Sequence, residues 1–126
     1  MPNILVLDDE KLIRWSLERL LSQEGYQVDT ASTTDDALKL AGDKAYDLII
    51  TDLEICGDQA GPFFAAMQAK QPKSYVVTLT AMAKDQAERM LGGVKTLAII
   101  EKPFTSEEIK SVVHGAIGPV NRSIFS

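Results

Sequence analysis

Four short apolar runs in this chain each end at a polar side chain that could take part in chemistry. The first run ends at Asp8 and Asp9 and the second at Asp52, while Thr80 closes the third and Lys102 follows the fourth. If these runs are parallel strands of one sheet, their ends lie along the same edge, and side chains far apart in sequence converge there. Three neighbouring carboxylates repel one another and cannot all stay ionised without a cation.

The types of these residues favour a hard metal ion and a phosphoryl group. Mg²⁺ typically takes one or two carboxylates and keeps several waters beside a phosphate ligand. Lys102 supplies a positive charge and Thr80 a hydroxyl donor, and both suit an anionic phosphoryl group next to the metal. The set therefore predicts phosphoryl transfer that works by positioning and charge neutralisation.

Five strands are predicted to place these residues. Residues 48–52 form an almost wholly apolar run, typical of a strand that is buried on both faces of a parallel sheet. Residues 27–31 alternate polar and apolar side chains, which indicates a strand at a sheet edge. The remaining predicted strands are residues 4–7, 75–80 and 97–100.

Five helices are predicted between and after the strands. Thr33 with Asp36, and Thr105 with Glu108, resemble capping boxes at the starts of the second and fifth helices. The predicted first helix spans residues 11–23, the second ends near residue 42, the fourth spans residues 84–91 and the fifth ends before residue 118. This alternation predicts an α/β fold, a doubly wound five-stranded parallel sheet with right-handed crossovers.

The segment after Asp52 carries two glycines and is predicted to be a loop over residues 53–61. Pro62 fits the first turn of the third helix. Three apolar residues of that helix are expected in the core: Phe63, Phe64 and Met67.

Composition narrows the function classes. The chain has 126 residues, enough for one domain with its own core. Its 13 Lys and Arg residues against 18 Asp and Glu give a net charge of -5, which argues against direct binding of nucleic acid. One cysteine cannot form an internal disulfide, and no apolar run approaches a membrane span. We therefore expect a cytoplasmic protein without a membrane partner.

Asp8, Asp9, Asp52, Thr80 and Lys102, in this order and at strand ends, resemble the signature of the receiver domain of two-component response regulators. Each motif alone is weak, whereas the full set is specific. The resemblance runs from residue 4 to about residue 117. It implies a flavodoxin-like strand order 2-1-3-4-5, a receiver domain over residues 1–118, and a C-terminal tail or linker stub over residues 119–126.

The resemblance also implies a metal site. Asp52 matches the phosphoaccepting aspartate, which also contacts the metal. Asp9 matches the carboxylate that contacts Mg²⁺ directly, and Asp8 assists through water. The backbone carbonyl of Glu54 would be a further ligand, and Mn²⁺ is an alternative ion.

Other residues match the family's switch machinery. Lys102 matches the lysine that pairs with phosphoryl oxygens, and Thr80 the hydroxyl residue that turns toward them. Ala81 is the small residue that leaves room for the phosphoryl group. The Lys102–Pro103 peptide bond is expected to be cis.

In function, the resemblance implies a phosphorylation switch rather than an enzyme with a separate substrate. A sensor histidine kinase would donate the phosphoryl group, and the chain would catalyse only its own phosphorylation and dephosphorylation. The surface formed by the fourth helix, fifth strand and fifth helix would then control an output domain or a partner protein, or form a homodimer. Residues 8–21 more softly resemble receivers of enhancer-binding transcriptional activators.

The chain departs from the family pattern at two positions that concern signal transmission. Cys56 stands where receivers often have proline, so a more mobile loop is expected after Asp52. Ile99 replaces the usual aromatic residue, so coupling to Thr80 is expected to run through backbone and packing or to be weaker. Glu54 and Met82 occupy positions that tune phosphoryl lifetime in the family.

Three other functions are alternatives to the phosphorylation switch. A Mg²⁺-dependent hydrolase of the aspartyl-phosphate type would use a carboxylate two residues after the nucleophile as acid or base, and Glu54 has that spacing from Asp52. A pseudo-receiver would act by protein contact alone, which the intact acceptor set argues against. Flavin binding is disfavoured because no Ser/Thr/Gly-rich phosphate loop follows the first strand.

Three further residues are assigned structural roles. Cys56 is interpreted as a small loop residue, since nothing basic lies close in sequence to lower its pKa. His114 lies between residues of the apolar stripe and is expected to face solvent. Trp15 is expected to be a partly exposed packing residue.

Overall fold

A computed structural model describes residues 1–120 and has a five-stranded parallel sheet in the order β2-β1-β3-β4-β5. The predicted doubly wound fold and strand order are confirmed. The strands are β1 Asn3–Leu7, β2 Gln27–Ala31, β3 Leu48–Asp52, β4 Tyr75–Thr80 and β5 Ala98–Glu101. The helices are α1 Lys11–Gln23, α2 Thr34–Asp43, α3 Ala60–Lys70, α4 Lys84–Leu91 and α5 Ser106–Ile117.

The prediction of a loop over residues 53–61 was wrong. A 3₁₀ helix spans Glu54–Gln59 and α3 begins directly after it at Ala60. The Cys56 amide donates to the Leu53 carbonyl at 3.1 Å, and the buried Cys56 side chain anchors the turn in the core. Gly57 allows the bend between its two halves with a φ of 56°, a conformation that other residues rarely adopt.

The core lies on both faces of the sheet because strand side chains alternate in direction. Leu5 and Leu7 pack on the face covered by α2, α3 and α4. Ile4 and Val6 pack on the opposite face, against α1 and α5. Every residue of β3 is buried, so the strand that carries Asp52 is held from both sides. The predicted burial of the three α3 residues is confirmed: Phe63, Phe64 and Met67.

The predicted caps form at α2 and α5. The Asp36 amide donates to Thr33 Oγ1 at 3.1 Å. At α5 the box is complete, because Glu108 N donates to Thr105 Oγ1 at 3.1 Å and Thr105 N donates to Glu108 Oε1 at 3.0 Å. Such caps satisfy backbone donors that the helix itself leaves unpaired.

The prediction that His114 faces solvent was wrong in part. Its Nε2 lies 3.0 Å from Glu24 Oε1, just past the end of α1, and its side chain is half-buried. The cause is the packing of α5 beside α1, which brings this flank of α5 over the turn after α1. Trp15 is 53% exposed, with the Arg19 guanidinium 5.3 Å from its ring centre, as expected for a partly exposed residue.

Within residues 1–120, the helices are all too short or too polar to cross a lipid bilayer. Residues 121–126, most of the predicted tail, lie outside the described part of the chain. The chain order reverses between β1 and β3, and in open α/β sheets the crevice at such a reversal is the usual ligand site. Asp8 directly follows β1 and Asp52 is the last residue of β3, so both lie at the carboxyl edge of the sheet.

Candidate functional site at the carboxyl edge of the sheet

The ammonium group of Lys102 bridges the carboxyl ends of β1 and β3. Its Nζ lies 2.9 Å from Asp8 Oδ2 and 3.4 Å from Asp52 Oδ1. It also approaches Glu10 Oε1 at 3.5 Å from the rim of the site. The Lys102 amide donates to the Thr80 carbonyl at 2.7 Å, which fixes the start of the lysine to the end of β4. Four of the predicted site residues are thereby brought together.

Asp8 is completely buried and is held by its own turn. The Glu10 amide donates to Asp8 Oδ1 at 2.9 Å, and Arg14 Nη1 donates to the Asp8 carbonyl at 2.9 Å. One carboxylate oxygen therefore faces the backbone and the other faces Lys102. This arrangement keeps a buried negative charge paired, as burial requires.

Asp52 is almost fully buried and carries an unusual charge environment. Burial raises the pKa of Asp52 to about 7, and although Lys102 opposes the shift, Asp8 and Glu54 add to it. Lys102 shifts the other way: burial alone would lower its pKa, but the bond to Asp8 and the charge of Asp52 raise it. The lysine thus stays cationic, whereas the ionised acceptor needs further positive charge.

The acidic turn after β1 can supply a metal site. Asp8, Asp9 and Glu10 can each bring one carboxylate oxygen to within 4.8 Å of the other two. This all-oxygen set fits a hard divalent cation. The cation would also supply positive charge to the buried Asp52 carboxylate. Glu10 was not predicted as a site residue, although it directly follows the Asp8-Asp9 pair. The roles predicted for Asp9 and for the Glu54 carbonyl stay predictions.

Thr80 does not point its hydroxyl at Asp52. Thr80 Oγ1 donates to Glu54 Oε1 at 2.9 Å, and the Ala81 amide donates to the same oxygen at 2.5 Å. The Met82 amide in turn donates to Thr80 Oγ1 at 3.0 Å. Burial alone would raise the pKa of Glu54, but the bonds from Ala81 and Thr80 hold it below its usual value. The side chain of Glu54 is therefore an ionised member of the site, whereas the receiver resemblance implied a metal-ligand role for its backbone carbonyl alone.

The remaining predicted positions surround this centre. The Lys102–Pro103 peptide bond is cis. Ile99 is partly buried on the α4 side of the sheet, opposite Thr78 in the pairing of β4 with β5. Cys56 lies beneath the acceptor, its Sγ 4.0 Å from the Asp52 carbonyl, and burial raises its pKa to about 12. Its thiol is therefore protonated and unreactive near neutral pH.

Comparison with known sequences gives one family. The model of the response regulator receiver domain matches residues 4–114. The chain is 30% identical over 116 residues to the transcriptional regulatory protein PmrA of Pectobacterium parmentieri, covering 90% of this chain and 51% of that protein. It is 32% identical over 107 residues to ResD of Bacillus subtilis, covering 84% of this chain and 44% of that one. The chain thus spans about half the length of these relatives.

Solved structures show the same fold. A response regulator from Burkholderia pseudomallei, solved with a phosphorylated aspartic acid, a calcium ion and citrate, is 29% identical with a TM-score of 0.79. That match covers 89% of this chain and 66% of the other. The chemotaxis protein CheY4 of Vibrio cholerae superposes with a TM-score of 0.83 at 24% identity, covering 93% of this chain and 99% of that one.

Proposed function

Because the chain belongs to the response regulator receiver domain family, we propose that it is a phosphorylation switch in two-component signal transduction, with Asp52 as the phosphoacceptor. The observation that carries the proposal is the position of Lys102, whose ammonium group lies 3.4 Å from the acceptor and 2.9 Å from Asp8. A related response regulator has been solved with a phosphorylated aspartic acid, which supports the same chemistry here.

The proposed reaction transfers a phosphoryl group from a phosphohistidine of a sensor kinase, or from a small acyl phosphate. An Asp52 carboxylate oxygen forms the new O–P bond while the donor's P–N or P–O bond breaks, and the leaving group keeps the electron pair. Lys102 stabilises the negative charge on the phosphoryl oxygens, and Asp8 keeps the lysine in place. Most of the catalysis is then positioning and electrostatic stabilisation by preformed groups.

A divalent metal completes this site in the proposal. Asp8, Asp9 and Glu10 would provide the acidic cluster. The Asp52 carboxylate and the Glu54 carbonyl would be further ligands. When bound, Mg²⁺ or Mn²⁺ would neutralise charge on the acceptor and on the transferred group. A calcium ion in the Burkholderia pseudomallei regulator is consistent with a divalent site.

The proposed output is a change in the surface formed by α4, β5 and α5. A phosphoryl group adds negative charge and acceptor oxygens at the ends of β3 and β4, where Thr80 and Ala81 can donate to them. Thr80 and Lys102 lie next to each other across β4 and β5, so their adjustment is transmitted to the strand that carries Ile99. The partner would be an output domain, a separate protein or a second copy. In the proposal the chain acts on no separate substrate.

Incubation with acetyl phosphate and Mg²⁺, followed by intact-mass measurement, tests this function. We expect one acid-labile phosphoryl adduct on the wild type and none on Asp52→Asn or when the metal is chelated. Absence of the adduct, under conditions in which another receiver domain is labelled, would contradict the proposal. Turnover of a generic phosphate ester would instead favour the hydrolase alternative, and partner binding unchanged in Asp52→Asn would favour the pseudo-receiver.

A further inference from the structure

The side chain of Glu54 binds the two donors that a phosphoryl group on Asp52 would need. We call the Thr80 hydroxyl and the Ala81 amide together the β4 cradle. Both donate to Glu54 Oε1, at 2.9 Å and 2.5 Å. The cradle stands at the end of β4, which pairs with β3 so that Leu79 lies opposite Asp52. An anion placed on the acceptor would meet the same two donors.

The charge of Glu54 also acts on the acceptor. Glu54 is one of the groups that raise the pKa of Asp52, so the two carboxyl groups share one electrostatic environment. The second oxygen, Glu54 Oε2, is buried and has no hydrogen-bond partner within the described residues 1–120. A buried carboxylate oxygen without a donor is unfavourable, so the two bonds in the cradle must offset that loss.

We propose that Glu54 is a tethered anion that competes with the phosphoryl group of Asp52 for the β4 cradle. The inference rests on the function proposed above, and it adds a step that the acceptor set alone does not contain. Transfer to Asp52 requires the Glu54 carboxylate to leave Thr80 and Ala81, because donors shared between two anions would bind each more weakly and would hold two negative charges together. Since Glu54 is attached two residues from the acceptor, it competes at high effective concentration.

The proposal predicts a graded effect of three variants. Glu54→Ala removes the competitor and frees the cradle. Glu54→Gln keeps an oxygen that can accept the same bonds but lacks the charge, so it competes less strongly. Asp58→Asn is the matched control, because Asp58 is an exposed carboxylate of the same 3₁₀ segment and its loss changes the net charge equally.

The first measurement uses acetyl phosphate with Mg²⁺, followed by intact mass, and a titration with beryllium fluoride and Mg²⁺ as a phosphoryl mimic. We expect Glu54→Ala to be labelled and to bind beryllium fluoride roughly tenfold better than the wild type, about the factor that corresponds to losing one charge-assisted hydrogen bond. Glu54→Gln should fall between them. Asp58→Asn should differ from the wild type by less than about twofold, since exposed charges are screened by solvent and salt.

The second measurement needs no phosphoryl group. In the protein without donor or metal, the amide proton resonance of Ala81 should move upfield in Glu54→Ala and partly in Glu54→Gln, because its short bond to a carboxylate is lost or weakened. Asp58→Asn should leave that resonance in place. This readout reports occupation of the cradle, which a general change in surface charge would not alter.

The outcomes separate the two proposals. If the wild type is labelled and Glu54→Ala shows the same rate and beryllium fluoride affinity, the competition is overturned while the phosphoacceptor function stands. An Ala81 resonance that is unchanged in Glu54→Ala overturns it as well, and Glu54→Gln decides the same question if the alanine variant folds poorly. If neither the wild type nor any variant is labelled or binds beryllium fluoride, both proposals fail.

Discussion

Replacing Asp52 with asparagine should stabilise the fold above neutral pH in the absence of metal. Asp52 is buried next to Asp8 and Glu54, and Lys102 is the lysine that faces it. The asparagine side chain has nearly the same shape, stays neutral, and can donate its amide hydrogens to the neighbouring carboxylates. Lys102 keeps its shorter bond to Asp8 in the variant.

The magnitude follows from the acceptor's pKa. Folding raises the pKa of Asp52 from its ordinary value of 3.8 to about 7. Stability that depends on protonated Asp52 is fully present below about pH 4 and is lost as the pH rises to about 7, because the unfolded state releases this proton near pH 4 while the folded state retains it until about pH 7. At about 1.4 kcal/mol for each pKa unit, the loss totals roughly 4 kcal/mol. Asparagine avoids this loss.

Urea unfolding with a metal chelator, followed by circular dichroism at about pH 5 and pH 8, checks the prediction. The variant's advantage in free energy of unfolding should grow by roughly 2 to 3 kcal/mol between those pH values, since about two pKa units of the shift lie in that window. Mg²⁺ should reduce the advantage at pH 8, because it stabilises the ionised wild type. A pH-independent difference, or a variant less stable than the wild type at pH 8 without metal, would refute the electrostatic reasoning. Asp58→Asn, on the surface, should stay within about 0.5 kcal/mol of the wild type throughout.

Three further variants test the supporting parts of the site and fold. Lys102→Met leaves buried Asp8 without its cation and should lower the free energy of unfolding by roughly 3 kcal/mol in metal-free buffer, while calorimetry should show tighter Mg²⁺ binding because a competing positive charge is gone. Asp9→Asn should weaken Mg²⁺ binding by roughly tenfold with little change in urea stability, since Asp9 is exposed; equal affinity would remove Asp9 from the metal site. Thr105→Ala breaks the capping box with Glu108 and should cost about 1 kcal/mol in thermal or urea unfolding, whereas phosphorylation by acetyl phosphate should be unchanged.

The fold could be predicted from the sequence because its signals are local. The apolar run that ends at Asp52 and the alternating run of residues 27–31 give the central and edge strands directly. Thr105 and Glu108 mark the start of α5 by their spacing alone. Lys102 could be placed beside Asp52 without any contact information, since parallel strands bring their carboxyl ends to one edge.

The parts that the sequence did not predict depend on where side chains point after a turn. The family resemblance gives Glu54 a carbonyl ligand role, but the direction of its side chain depends on the 3₁₀ helix Glu54–Gln59, where the two glycines of residues 53–61 predict a loop. The bond between Thr80 and Glu54 joins residues 26 positions apart and leaves no periodic signal. His114 was assigned to solvent from its place on α5, whereas the packing of α5 beside α1 supplies Glu24 as a partner. In each case tertiary packing determines the partner of the side chain, and the local sequence pattern does not.

The charges around Asp52 explain why an exchange at the β4 cradle suits this site. Asp8, Asp52 and Glu54 can place three negative charges near the single ammonium group of Lys102. Phosphorylation replaces one negative charge on Asp52 with about one and a half to two on the phosphoryl group, so the crowding increases if Glu54 stays. Departure of Glu54 removes one negative charge from the centre at the moment another arrives, and the donors of the cradle remain satisfied before and after. The exchange therefore limits the electrostatic cost of the phosphorylated state, and it requires the Glu54 side chain to change its position whenever Asp52 is phosphorylated.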